Sequence, residues 1–429
     1  MMLATDGVPP WLRRALSDRT RGPVALTGHV LTMPERHSAS PGMGCLWQLR
    51  SESAISVVFV PRYPKLKITP LVPCPQLPLD GITSGVFPYL SGSVRADQLR
   101  SVVMAYESVI VPGRPGAKLA AEIPGVLVDP AMYVPQAKAE PDLLFDYDEW
   151  LIRQRAAGVP LVLTGTPRIR NNDISELQKA LARWDTIDEP TLAVLPLEPW
   201  WLRRQQGLPR LIEAVRSAAR PVALVLLHQY NGLDIKGAVA GLLEFISAVR
   251  PLPVVLLRSD ISAIGAVAHQ AFAGFVGWSA NTRHGPLPMR RPGGDDERDE
   301  SPSVLVPALN DYLKSSKLPA LAHIRWMEVL RCDDRECRGD SLLRIADLAE
   351  TDLRDGRTLA NLHNLASTEQ LARRVFAAAD PRVAWWEACN IGAKGIASLA
   401  GNGVSLPLHR WTRQWLELGS PAHDYQPVG

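Results

Sequence analysis

The chain has 429 residues, 46% of them hydrophobic and 21% charged, with a formal net charge of +3 and a mean hydropathy near zero. This is the composition of an ordinary globular protein, long enough for one large domain or two modest ones. It excludes a helical membrane protein, because no apolar run approaches the roughly 18 residues a spanning helix requires; the small positive charge permits an anionic partner without demanding one.

The first residues, "MMLATDGVPPWLRRALSDRT", carry prolines and mixed charge instead of a basic head and an apolar stretch. No export signal is visible, and the expectation is a cytoplasmic protein. Five cysteines, an odd and scattered set, fit a reducing compartment better than a disulfide framework. Residues 1–85 are punctuated by proline around "CLWQL", "ISVVFV" and "KLKITPLV", which reads as a β-rich N-terminal appendage.

A rhythm then sets in. "GVLVDPAMY" (125–133), "VPLVLTGTP" (159–167), "PTLAVLPLEPWW" (190–201), "PVALVLLHQ" (221–229) and "PLPVVLLRSD" (251–260) are apolar runs about 30 residues apart, with helical patterns such as "DISELQKALARW" between them. Continuous rather than alternating apolar strands indicate a parallel sheet covered on both faces. "FAGFVGWSA" (272–280) and "LAHIRWMEVL" (321–330) bring the count to seven, and "ESVIVPG" (107–113) supplies the eighth. The expected fold is an α/β protein, a (β/α)8 TIM barrel over 86–331. A doubly wound open sheet is the competitor, but no strand is followed by a G-x-G-x-x-G turn. The acidic run "GGDDERDE" (293–300) reads as a solvated loop.

Chemistry in a β/α barrel collects at the C-terminal ends of the strands. Those ends supply Asp129, Tyr133, Thr164, Glu198, Trp200, Trp201, His228, Gln229, Asp260, Trp278, Asn281, Arg283 and His284. Most are expected to be ordinary loop residues, and a minority to touch a ligand.

Residues 332–429 form a C-terminal helical region, in which Trp385, Trp386, Trp411 and Trp415 are spaced to line a core seam. At its start, "RCDDREC" places Cys332 and Cys337 five positions apart. A disulfide across so short a loop is strained and gains little. His363, in "LANLHNL" another 26 residues on, gives a third ligand type, and Asp334 a fourth. A tetrahedral structural zinc takes such a set, although C-x4-C with a distant histidine also arises by chance.

The spacing resembles that of the tRNA-guanine transglycosylase family, whose barrel ends in C-x-C-x-x-C followed 26 residues later by the histidine of an "HNL"-like helix. Cys332, Asp334, Cys337 and His363 fall on those four positions, with aspartate in place of the middle cysteine. "GRPGAKLAAEIPGVLVDPAMY" is similar to the family's passage from an R-P-G turn to the strand ending D-S-G-G-F, and the stretch through "FVGWSANTRHG" to its D-x-x-x-P-T-R. The similarity spans roughly residues 100–375. It implies a structural Zn2+, an acid-base aspartate at Asp129, and Tyr133 where the family stacks an aromatic on the base.

One departure matters most. Six residues before Arg283, the position of the family's nucleophilic aspartate is Gly277, which cannot form a covalent ribosyl intermediate. Either Asp260, on the adjoining strand, substitutes, or Asp129 activates water and the reaction becomes hydrolysis of the N-glycosidic bond. Base-reading positions change too, to Thr164 and Gly165, and to Leu197 and Glu198. Glu198, with Trp200 and Trp201, is therefore a candidate to pair with and stack on an everted base. Gly277 and Trp278 are further substrate-binding positions, a pocket widened at Gly277 accepting a larger, modified base, and Arg283, His284, Arg290 and Arg291 are candidates to contact phosphates. The expected function is N-glycosidic base processing, excision or exchange, with DNA favoured over tRNA as partner because relatives of the family modify DNA. A homodimer is compatible with the reading. A catalytically silent subunit and an unrelated small-molecule barrel enzyme are the alternatives.

Overall fold

The computed structural model describes Leu79 and residues 84–419, apart from 92–93, 95, 107, 135–146, 183–189, 287–298 and 323–326. Apart from Leu79, Ser84 and Gly85, the N-terminal appendage expected over 1–85 lies outside the described residues, as do Arg290 and Arg291.

Eight parallel strands form a nearly closed barrel: β1 (Gly85–Tyr89), β2 (Val109–Pro112), β3 (Val126–Asp129), β4 (Val162–Leu163), β5 (Thr191–Leu197), β6 (Val222–Leu226), β7 (Val254–Ser259) and β8 (Ala273–Gly277). Their order round the sheet is β3-β2-β1-β8-β7-β6-β5-β4, so the seam falls between β3 and β4. The connecting helices are α1 (Ala96–Ala105), α2 (Gly113–Glu122), α3 (Tyr147–Ala156), α4 (Ile174–Ala182), α5 (Leu208–Ala218), α6 (Ala238–Ala248) and α7 (Ser262–Ala268). This is the (β/α)8 barrel that the spacing of apolar runs predicts, with one exchange of elements. "LAHIRWMEVL" is no strand: its ends belong to the short helix α8 (Leu318–Ala322) and a 3-10 turn at Met327–Leu330. The missing strand is instead β1, "GVFPY". A short apolar run does not distinguish strand from helix, and Gly85 and Pro88 make β1 look like a turn.

Strand alternation divides the core in two. Phe87, Leu127, Leu163, Val194, Val225, Val255 and Phe275 point inward and fill the barrel. Leu195, Leu224, Leu256, Phe245 and Ile264 pack outward between strands and helices, as layers demand of a sheet buried on both faces.

After the barrel come an antiparallel hairpin, β9 (Ser303–Val306) with β10 (Asp311–Lys314), and the helices α9 (Leu343–Thr351), α10 (Leu353–Phe376), α11 (Pro381–Gly401) and α12 (Arg410–Glu417). Asp352 caps α10 by accepting from the Arg354 and Asp355 amides, and Asp380 caps α11 through the Arg382 amide. Trp385, Trp411 and Trp415 are buried together, with ring centroids 6.2 Å (385 to 411) and 5.8 Å (385 to 415) apart, so these tryptophans are core. No described helix is long and apolar enough to cross a membrane.

Candidate metal centre and barrel mouth

The loop after the barrel is closed by its own backbone. Gly339 N donates to Cys332 O at 2.8 Å, Arg338 N to Asp334 O at 2.8 Å and Asp340 N to Cys337 O at 2.9 Å. Left-handed Arg338 and Gly339 make the reversal. The fold thereby turns both thiols inward as free cysteines, with no disulfide between them.

Cys332, Asp334, Cys337 and His363 are all buried, and one ligand atom from each lies within 4.8 Å of the other three. This cluster could hold a metal ion. Asp334 Oδ2 is 3.2 Å from Cys332 Sγ and 2.9 Å from His363 Nδ1, which is 3.2 Å from Cys337 Sγ. The remaining valences are committed elsewhere. Asp334 Oδ1 accepts from the Glu336 and Cys337 amides at 2.9 and 2.7 Å, and Ser367, one turn beyond His363 on α10, donates to Oδ2 at 2.6 Å. His363 Nε2 meets Leu305 O on β9 at 2.7 Å, an outer partner of the kind that orients a ligating imidazole.

Electrostatics follow this geometry. The hydrogen bond from Cys337 is the chief reason the Cys332 thiol falls to about 5. The same contact, with burial, pushes Cys337 up. Burial would lower His363, but hydrogen bonds to Asp334 and Cys332 outweigh it and hold the imidazole at about 9. Burial likewise opposes ionisation of Asp334, and the bonds from His363 and Ser367 overcome it. Next in sequence, Asn364 accepts from Leu305 N at 2.7 Å and donates to Trp278 O and Ser303 O at 3.0 and 2.9 Å. The "HN" pair thus ties α10 to β9 and to the end of β8.

The barrel mouth is organised differently. Asp129 ends β3 on the inward face and is fully buried. Its Oδ2 accepts from the Tyr89 hydroxyl at 2.7 Å and the Tyr133 hydroxyl at 2.5 Å, and its Oδ1 from Ala131 N at 2.8 Å. Burial first and the Asp129 charge second hold both phenols well above the usual tyrosine range, so both are donors. The Arg258 guanidinium lies 5.3 Å from the Tyr89 ring centroid and 5.9 Å from that of Tyr133.

Gly277 ends β8, its Cα partnered with that of Tyr89. A Cβ there would lie 2.3 Å from both C and O of Thr282 and 2.6 Å from Arg283 N. Backbone therefore fills the space that the resemblance assigns to a carboxylate, and the expected widening of a pocket at Gly277 is not found.

The other expected site residues are spent in the fold. Asp260 is buried and accepts from the Ser262 amide at 2.9 Å, from the Ser262 hydroxyl and from Asn231, sharing no hydrogen-bond partner with Asp129. β7 also stands four places from β3 round the sheet. Glu198 is paired with Arg168. Trp201 is buried with Nε1 on Arg170 O at 3.2 Å, and Trp200 packs edge-on against it at 5.1 Å.

Trp278 is buried in the outer core, its Nε1 without an acceptor among the described residues. Arg283, expected on phosphate, is instead buried: it donates to Gly277 O and Trp278 O at 3.3 Å each and to Ser303 Oγ at 3.0 Å, with its guanidinium 3.4 Å from the Tyr312 centroid. Half-buried His284 is held down to about 4 by burial and then by Arg258, and so is neutral at neutral pH.

The crevice beside Arg258, lined also by Asn231, Ser259 and His284, encloses only about 10 Å³. A hollow of about 460 Å³ lies on the outer face between α4 and α5, away from this chemistry. Four residues that the sequence reading passed over prove central: Tyr89, Arg258, Asn364 and Ser367. A serine one helical turn after His363 was the available signal.

No protein-family model matches the chain, and no curated protein matches it.

Proposed function

We propose that this barrel acts on a base in nucleic acid, DNA before tRNA, cleaving the N-glycosidic bond by hydrolysis through Asp129 and without a covalent sugar intermediate. The observation that carries the reading is the buried Asp129, Tyr89, Tyr133 and Arg258 group at the C-terminal rim of a β/α barrel, where chemistry is placed and where a buried carboxylate is otherwise expensive. The filled space at Gly277 argues against covalent transfer, and the commitment of Asp260 to Ser262 and Asn231 argues against a substitute nucleophile.

In the proposed step Tyr133 swings off Oδ2 and a water takes its place. Asp129 accepts a water proton as the oxygen bonds to the sugar C1′. The C–N bond breaks with its electron pair passing to the base, and the proton returns from Asp129 to the departing base. Hydrolysis is then balanced with one carboxylate.

We assign zinc to the cluster. Two sulfurs, a nitrogen and an oxygen suit it; three of the donor separations, 2.9 to 3.2 Å, and the 4.8 Å limit that encloses all four atoms bracket the edges of a zinc tetrahedron, about 3.3 to 3.8 Å from its usual bond lengths. Its role is to pin the post-barrel loop to α10.

A second reading, a silent subunit that binds nucleic acid or a partner, is favoured by the three donors already on Asp129 and by its complete burial. Mass spectrometry of bases freed from modified and unmodified DNA and from tRNA, with Asp129→Asn as control, separates the two. Release abolished by the substitution supports hydrolysis. No release from any polynucleotide by the native protein transfers the conclusion to the silent subunit, and undiminished release by Asp129→Asn removes that residue from the mechanism.

A further inference from the structure

We infer that Arg258 is the positioning residue of the barrel mouth: its guanidinium fixes both the turn that covers Gly277 and the two tyrosines that hold Asp129, so that the glycine and the arginine form one device. The inference rests on the mouth being the functional site, as read above, but its test does not use nucleic acid.

The device begins in the backbone of β7. Pairing with β8 slips between Leu256 and Ser259, and Arg258 has φ +48°, a left-handed conformation uncommon outside glycine. Leu256 packs outward against the helices and Leu257 inward, so regular alternation would send residue 258 outward. The irregularity instead re-aims it at Tyr89 and Tyr133.

There the guanidinium has a second set of partners. Nε donates to His284 O at 3.1 Å and Nη2 to Asn281 O at 2.5 Å. These carbonyls bracket Thr282 and Arg283, whose backbone atoms occupy the space a side chain at 277 would need. Arg283 grips the same turn from within, through Gly277 O and Trp278 O. Strand register then closes the circuit, because Gly277 pairs with Tyr89 and Tyr89 bonds Asp129. A planar fork can serve two carbonyls while facing two rings; a lysine ammonium, a single compact charge, cannot.

The test is a double-mutant cycle in thermal unfolding with Gly277→Ala, Arg258→Met and the double variant. Each single substitution is expected to lower the melting temperature, and the double to lower it by less than the sum, because a turn freed from Arg258 can yield to the added methyl. Strictly additive losses would overturn the inference. Fluorine NMR of fluorotyrosine-labelled protein supplies a signature that general destabilisation does not mimic: Arg258→Met should shift the Tyr89 and Tyr133 resonances and leave that of Tyr312 in place, with only partial return in Arg258→Lys. Unmoved Tyr89 and Tyr133 signals, or full restoration by lysine, would also overturn it. Should Arg258→Met not fold, Arg258→Lys carries the test by hydrogen exchange, with faster exchange at the Gly285 and Thr282 amides supporting the clamp and unchanged exchange there refuting it. Failure of base release leaves all of these outcomes intact, so the two claims fall separately.

Discussion

The metal cluster and the barrel mouth both depart from the pattern they resemble, and they accommodate the departure in opposite ways. At the cluster, aspartate stands where the family has a thiolate, and the surroundings supply what a carboxylate needs: two amides on Oδ1 and the Ser367 hydroxyl on Oδ2. Four donor atoms still converge. At the mouth, glycine stands where the family has a carboxylate, and backbone moves into the space while Asp129 is satisfied by Tyr89, Tyr133 and Ala131. The cluster gathers four potential ligand atoms in one space, whereas the mouth spends its donors on a single carboxylate.

Where zinc fills the cluster as proposed, its removal should have the largest effect, since binding free energy at a structural zinc is folding free energy, on the order of 10 kcal/mol in small zinc domains. Dialysis against a strong chelator is expected to lower the melting temperature and free the loop around Cys332, and Cys332→Ser to do the same while lowering the metal content. Well under one zinc per chain in carefully purified protein, by elemental analysis, would erase the contrast by making the cluster another self-satisfied group. Gly277→Asp should come next, at about 3 kcal/mol or more, because it adds atoms against fixed backbone and buries a charge. A stable, well-folded Gly277→Asp protein would show that the mouth is more open than these contacts imply.

Ser367→Ala should act at the metal alone, weakening affinity about 10- to 100-fold as loss of an outer partner does. Cobalt titration checks it, with the thiolate-to-metal absorption reporting whether both sulfurs still bind. Unchanged affinity would mean that the two amides suffice to orient Asp334.

How much of this was legible in the sequence follows from the range of each cause. Seven of the barrel strands announced themselves as apolar runs, because burial on both faces writes its signature locally. β1 did not, since Pro88 and Gly85 dress it as a turn and only its neighbours β2 and β8 make it a strand. The cluster was readable because its ligands occupy one short loop and one helix. Ser367 was readable in principle, four residues from His363. Arg258 was not, because its direction depends on a slip in strand pairing that no local pattern encodes. Gly277 was visible as a departure, yet its reason, a turn packed on its Cα, lies in tertiary structure. Arg283 shows the cost of reading charge without burial: a basic residue beside a glycine-rich turn looked like a phosphate ligand and proved to be an internal clamp.

The smallest effect concerns a polar staple outside both regions, and it asks whether the C-terminal helices depend on the cluster alone. His409, at the start of α12, faces Asp234 on the β6–α6 connection at 3.7 Å through Nδ1 and Asp311 on β10 at 3.2 Å through Nε2; His228 and Asp260 are further titratable neighbours of Asp234. The hydrogen bond with Asp234, then that with Asp311, raise His409 from 6.5 to about 10. A raised histidine contributes stability that is fully present below its unfolded value and is lost as pH rises through the folded one. The staple should therefore hold below pH 6.5 and weaken progressively toward pH 10. With the imidazole 41% exposed, solvent screening keeps the contribution small. Melting temperatures of the native protein and His409→Gln should differ most near pH 6.5 and converge by pH 10. A gap that stays constant across that range would mean that His409 acts by packing, leaving the cluster and the tryptophan seam to hold the C-terminal helices at every pH.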